Sequence, residues 1–186
     1  MGLFGWLTRK PGSDATRQWR EAWRAAVAAP EADAIARLDA ALHRQPPLAD
    51  DLEIEEEMLD GLRQLLAIVQ ELEANRPPTI DTTHRVVGAD RCHFSAPVSM
   101  PDDPTQPTGR LLLTSSRAVF AGGSRVPALP WHSLREVVQD GRDLLFVHNR
   151  PGAEDGQRFR CNSYGEALCG AAIARYMAQR TRNRQL

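Results

Sequence analysis

The side chains able to do chemistry are few and scattered. Metal-ligating and thiol chemistry could come from three cysteines (Cys92, Cys161, Cys169) and five histidines (His43, His84, His93, His132, His148). No cysteine pair has CxxC spacing and no histidine pair has HxxxH spacing. With the cysteine count odd, neither a disulfide framework nor a structural zinc site is expected. The three cysteines read as small buried hydrophobes in a reducing compartment. His84 with Cys92 and His93 comes nearest to a ligand cluster, yet strand alternation would put residues 92 and 93 on opposite faces. Ser115 and Ser116 lack a G-x-S-x-G elbow, and no G-x-G-x-x-G or G-x-x-x-x-G-K loop exists. Gly122-Gly123 reads as turn chemistry. Neighbouring carboxylates (the Glu-Ile-Glu-Glu-Glu run 53–57, Asp102-Asp103, Glu154-Asp155) sit where water reaches them, which leaves no reason for a raised pKa. Hence no catalytic residue, cofactor or metal is expected. An enzyme would need an enclosed pocket in which two or more titratable groups converge.

Arginine is the other reservoir of chemistry. Of 23 basic residues only Lys10 is lysine, and with 25 alanines this composition points to a bacterial gene of high GC content. The net charge of −1 is unevenly spread. Residues 1–30 hold five basic and two acidic groups, 31–78 four and twelve, and 79–186 fourteen and ten, giving +3, −8 and +4. Such asymmetry suggests two units with different jobs. A charge of +4 with acids interspersed is too weak for nucleic-acid binding. Apolar runs such as 65–69 are too short to span a bilayer. Near the N-terminus Arg9, Lys10 and Pro11 interrupt the only stretch that could serve as a secretory signal. Leu3, Phe4, Trp6 and Leu7, followed by those bases, resemble a short interfacial anchor or a leader folded on the protein itself. Trp6 stands where a myristoylation motif requires Ser or Thr.

The elements that must position these residues fall into two halves. Over 13–45 and 48–75 the apolar period is close to 3.6. Ser13 reads as an N-cap with Asp14 in the first turn. Trp19, Trp23, Ala26 and Pro30 fall on one stripe that fits a buried face, and Pro30, suited to a first turn, is expected to begin a second helix carrying Ile35, Leu38 and Leu42. Pro46-Pro47 stops it. The third helix has Asp50 and Asp51 at its start and an apolar face of Met58, Leu59, Leu62, Leu65, Leu66, Val69 and Leu72, ending before Pro77-Pro78. That face is expected to pack on helices one and two, or to serve a homodimer through 50–75, although Gly61 interrupts the repeat. The acidic run 53–57 reads as a solvated helix start.

After Pro78 the period becomes two. Strands are expected at Arg85-Val86-Val87, Cys92-His93-Phe94, 110–114, 117–121, 125–126, 133–138, 144–148 and 157–161. Turns are expected at Gly88-Ala89-Asp90, Ser115-Ser116, 122–124 and Asp140-Gly141. Leu111, Leu113, Val119 and Phe120 are expected to face inward. From Ser163 to about Arg180 a helix returns, with Arg180, Arg182 and Arg184 complementing its negative end or forming a tail. The fold class is α+β: a helical bundle or hairpin, then a small β-barrel or sandwich capped by a C-terminal helix.

Gly109-Arg110-Leu111-Leu112-Leu113-Thr114 and Arg117-Ala118-Val119-Phe120 resemble the paired strands of GRAM and related pleckstrin-homology-like domains. Val126-Pro127, Pro130-Trp131, Ser133-Leu134 and Val137 are similar to the strand that follows in that family. The resemblance covers about residues 80–182. Joined to the reading of the first half, it gives an expected organisation of leader (1–12), helical region (13–76), PH/GRAM-like domain (79–182) and tail (183–186). It also implies basic residues near the first strands for an anionic headgroup, here Arg85, Arg91 and Arg117. The leading expectation is a non-enzymatic, cytoplasmic binding or adaptor protein. It would hold a protein partner by peptide addition to a sheet edge or in a groove beside the last helix. The alternatives are a peripheral protein at the inner face of the membrane, anchored by residues 3–7 and arginines, and an enzyme with an unfamiliar site.

Overall fold

Helix α1 (Pro11–Ala28) starts on a proline, whose fixed φ suits a first turn and whose missing amide is not needed there. The helix therefore begins two residues before Ser13, which lies inside it and is not its cap. The computed structural model describes residues 11–44, 52–122, 128–149 and 156–184. The expectations for Pro46-Pro47, Asp50, Asp51 and 125–126 lie outside those residues, as does most of the turn at 122–124. Pro30 lies between the end of α1 and the start of α2 (Ala32–Arg44), so it neither joins the buried stripe nor opens the second helix, and α3 (Glu53–Glu73) completes the helical half. Trp19 and Trp23 are buried, and their indole N–H groups donate to Leu38 O at 2.9 Å and Met58 O at 2.7 Å. A buried indole needs such an acceptor, and here each one staples α1 to a different neighbour.

The acidic start of α3 is not simply solvated. Glu55 is only 3% exposed and pairs with Arg20, 2.6 Å from Nη2 and 2.8 Å from Nε. At the far end of α3, Asn75 adopts φ +56° and ends the helix in a Schellman arrangement. Arg76 N donates to Glu71 O at 2.8 Å and Asn75 N to Leu72 O at 3.0 Å. Pro77-Pro78 then carries the chain away.

Among the described residues seven antiparallel strands follow: β1 (Cys92–Ser99), β2 (Thr108–Thr114), β3 (Arg117–Ala121), β4 (Ala128–Pro130), β5 (Leu134–Asp140), β6 (Asp143–His148) and β7 (Gln157–Cys161). They form one sheet in the order β4-β3-β2-β1-β7-β6-β5. Among the described residues β4 and β5 do not pair with each other, so the sheet is open. Gly141, at φ +59°, makes the two-residue turn between β5 and β6.

Two expectations about faces are corrected by register. Arg85-Val86-Val87 is a 3-10 turn instead of a strand; it has no partner strand, and Val86 and Val87 lie over the outer face of β2 and β3. Val119 stands directly opposite Leu112, and Phe120 opposite Leu111. Opposed residues share a face, so Val119 joins Leu112, Val87 and Cys92 outside while Leu111, Leu113 and Phe120 face the main core. The pairing of β1 with β2 slips between Cys92 and Phe94, and this bulge at His93 sends Cys92 to the outer cluster and Phe94 to the main core.

Helix α4 (Tyr164–Asn183) lies on the main core. Its N-terminus is capped three ways. Ser163 Oγ accepts from Glu166 N at 3.1 Å, Glu166 Oε2 accepts from Ser163 N at 3.2 Å, and Glu57 Oε1 of α3 accepts from Tyr164 N at 2.8 Å. The other oxygen of Glu57 pairs with Arg142, whose guanidinium sits 5.3 Å from the Tyr164 ring centre. Trp23 meets the same ring edge-on at 5.8 Å. Leu168 of α4 belongs to the helical core, and Leu72 of α3 belongs to the β core. The 58/62/65 face of α3 is thus covered from inside the chain. No helix among the described residues is long and apolar enough to cross a membrane.

Candidate functional site

Four separate segments enclose a polar cleft of about 580 Å³. The Schellman end of α3 turns Asn75 and Arg76 towards it, followed by Pro77 and Thr79. The segment entering β1 contributes Asp90, Arg91 and His93. The β2–β3 turn contributes Ser115, and the last turns of α4 contribute Arg180, Thr181 and Arg184. Arg180 and Arg184 are four residues apart, the spacing that places two side chains on one helix face.

His93 is the strut between these walls. It is 5% exposed, with Nδ1 2.7 Å from Pro78 O and Nε2 3.0 Å from Ser115 Oγ. A carbonyl can only accept, so Nδ1 carries the proton and donates. In the neutral ring Nε2 then accepts from the Ser115 hydroxyl. The pair resembles a nucleophile with its base, but the turn's amides are already committed. Ser115 N donates to Arg91 O at 3.0 Å, Ser116 N to Thr114 Oγ1 at 3.3 Å and Arg117 N to the same oxygen at 3.1 Å. No pair of these amides remains to stabilise an oxyanion.

The carboxylate lining the cleft is also engaged. Asp90 Oδ2 accepts from Ser116 Oγ at 2.5 Å and lies 3.1 Å from Thr114 Oγ1. Arg76 pairs with Glu71 at 3.2 Å. Among the described residues, Arg91, Arg180 and Arg184 have no carboxylate partner, as is also true of Arg24, Arg37, Arg85, Arg135 and Arg182 elsewhere, whereas Arg20, Arg63, Arg142, Arg158 and Arg160 have at least one. A second group of arginines, at the parting of β1 and β7, is satisfied internally. Arg110 Nε donates to Ser95 Oγ at 3.0 Å, Arg142 holds Glu57, and Arg160 grips Asp143 through two bonds of 2.8 and 2.9 Å. Those bonds hold the Asp143 carboxyl below its ordinary pKa and push the Arg160 guanidinium above its own. The cleft thus gathers three guanidinium groups without carboxylate partners in one concave space, a chemistry suited to an anion.

The three arginines singled out in the sequence do not converge. Arg91 lines the cleft. Arg85 is exposed in the 3-10 turn, and Arg117 is half-buried with Nη2 3.5 Å from Val86 O. Both Arg85 and Arg91 precede β1, because the strand expected at 85–87 does not form. The loop joining the first two strands, 100–107, instead carries Asp102 and Asp103 and no base. Leu3, Phe4, Trp6 and Leu7 lie outside the described residues. Cys92, Cys161 and Cys169 are buried and unpaired. With both ring nitrogens of His93 engaged and the Cys92 thiol donating to Phe94 O at 3.2 Å, the His84/Cys92/His93 group is not arranged as a ligand set. Sequence reasoning assigned Arg180 and Arg184 to the negative end of the helix or to a tail, and missed the pairing of His93 with Ser115. The 180/184 spacing was the one local signal. No protein-family model matches this chain, and no curated protein matches it in sequence.

Proposed function

We propose that this chain is a non-catalytic recognition module, in which a GRAM/PH-like β unit joined to a helical unit binds a protein partner through the arginine-lined cleft. Seven antiparallel strands followed by one helix over their core fit the outline that the family resemblance implies. The observation that carries the reading is the set of Arg91, Arg180 and Arg184 without carboxylate partners in a cleft whose one acid is already bonded. Other surfaces offer less. The apolar face of α3 is covered by α1, α2 and α4. Strand β4 has three residues and ends at Pro130, which has no amide to donate to an added strand. At the β5 edge, Arg175 Nε of α4 already donates to Val137 O at 2.9 Å. Peptide addition to a free edge is therefore less favoured than capture of an acidic segment.

The test is capture from source-cell lysate by the full chain and by an Arg91→Glu/Arg180→Glu variant, with bound proteins identified by mass spectrometry. A partner held by the first and lost by the second supports the reading. A partner held equally by both removes recognition from the cleft. If neither holds a protein and the full chain floats with anionic vesicles until Leu3→Glu and Trp6→Ser are introduced, the peripheral-membrane alternative replaces it.

A further inference from the structure

We propose that the cleft is a phosphate-group site, taking a phosphomonoester carried by the partner; this rests on the protein-binding reading above. Charge and geometry point the same way. A carboxylate is planar, and a single guanidinium fork satisfies it. A phosphomonoester carries close to two negative charges and three acceptor oxygens directed to different sides. Here unpaired guanidinium groups stand on two walls, Arg91 before β1 and Arg180 with Arg184 on α4, and Arg76 closes a third. Thr79 adds a hydroxyl to the same space, while those of Ser115 and Thr181 already donate to His93 Nε2 and Met177 O.

The C-terminal end of α4 contributes a partial negative charge of about half a unit, which two arginines outweigh. His93 fixes the distance between walls, since it ties the chain after α3 to the β2–β3 turn. The site is therefore assembled by the fold before any ligand arrives, which lowers the cost of binding. It stands at the end of the sheet opposite the acidic loop 100–107. A headgroup reading based on the first two strands would look for the ligand at that loop.

The experiment is a titration of the ¹⁵N-labelled full chain with four probes: inorganic phosphate, N-acetyl-phosphoserine amide, N-acetyl-aspartate amide, and vesicles of phosphatidylcholine containing phosphatidic acid. Saturable shifts confined to residues near 79, 91, 115 and 181 are expected from the first two probes. The aspartate probe should bind at least about tenfold more weakly. An Arg91→Gln/Arg180→Gln variant should lose about tenfold or more in phosphate affinity, because a hydrogen bond to a charged group contributes a factor of that order. Both side chains are exposed, and an unchanged spectrum elsewhere will show that the variant is folded. Equal binding of phosphoserine and aspartate probes, or wild-type affinity in the variant, overturns the proposal. Strong binding to the vesicles with none to the phosphoserine probe also overturns it. If the phosphoserine probe fails while the charge-reversed variant still loses its protein partner, the phosphate site falls and the recognition module stands. If the probe binds but no partner is captured, the site stands and the protein-binding reading falls.

Discussion

Replacing Gly61 by alanine sets two physical effects against each other, and the structure decides the sign. In an isolated helix the change would gain about 1 kcal/mol, because glycine is the poorest helix former after proline. In this fold a methyl group on Gly61 would stand 2.8 Å from Gly165 N, 3.1 Å from Gly165 Cα and 3.2 Å from Tyr164 C. All three are backbone atoms in the first turn of α4, so no side chain can swing aside; the helices must separate. Overpacking of this kind costs about 1–3 kcal/mol, and parting α3 from α4 also loosens Glu57 from Tyr164 N. A net loss of about 1–2 kcal/mol follows. For a chain of this size that lowers the unfolding midpoint by roughly 2–8 °C. Gly165→Ala is the control. Its methyl would meet Gln64 Oε1 at 2.5 Å, the far end of a flexible side chain, so a change within about 0.5 kcal/mol is expected. Urea unfolding of both variants, followed by far-UV circular dichroism, measures the difference. Stabilisation by Gly61→Ala of the size its helix propensity predicts would refute the close approach of the two helices.

Other expectations follow from single side chains. Trp131 is fully buried and its indole N–H donates to Thr114 O at 2.9 Å; Trp131→Phe should cost at least about 1–3 kcal/mol in urea unfolding, and a neutral result would deny that bond. Leu144, fully buried between the sheet and α4, should lose about 2–5 kcal/mol on change to alanine, with a loss under about 1 kcal/mol counting against the assigned core. Burial pushes the thiols of Cys161 and Cys169 up to about 12 and about 11, and that of Cys92 upward, so Ellman's reagent at about pH 8 should react slowly with the native chain and with three thiols once it is unfolded. Fast reaction of any native thiol would contradict its burial. Asp143 has its pKa lowered by Arg160, so its contribution to stability is full above the unfolded value of about 4 and is lost as the pH falls through the native one. Asp143→Asn should therefore be less stable than wild type at about pH 6 and draw level with it towards about pH 2–3; a gap that does not narrow would refute the pairing.

The four helices were legible because each repeats its apolar residues over several turns, and Trp19, Trp23, Leu62 and Leu168 are buried where that period puts them. Strands β2, β3, β5, β6 and β7 were legible from alternation and flanking turn residues. What failed was information that sequence order does not hold locally. Val86 and Val87 have the composition of a strand, but no strand lies beside them, and they became a cover for the outer face. Val119 changed sides because the pairing register, not its own neighbours, assigns the face. Glu55 looked like solvated acid until Arg20, 35 positions earlier, came to meet it. The cleft was illegible for the same reason. Its walls come from around 76, 91, 115 and 180, and none of those segments carries a motif.

Helix α4 also fixes the order in which the protein can become stable as it leaves the ribosome. Leu72, at the end of the helical half, and Leu168, which completes that half's core, are separated by about 100 residues. At roughly 5–20 residues per second, the apolar side of α3 emerges about 5–20 s before the helix that covers it. The first strand of the sheet leaves about 70 residues, or about 4–14 s, before α4, whose Ala167, Ala171, Ile173 and Met177 close the sheet's inner face. Neither half can finish early and shelter the other. During synthesis the side of α3 that meets α4 thus stays uncovered for seconds, while α1 and α2 can already pack on its other side. A stop codon just before α4 would not leave a smaller working protein but two unfinished cores.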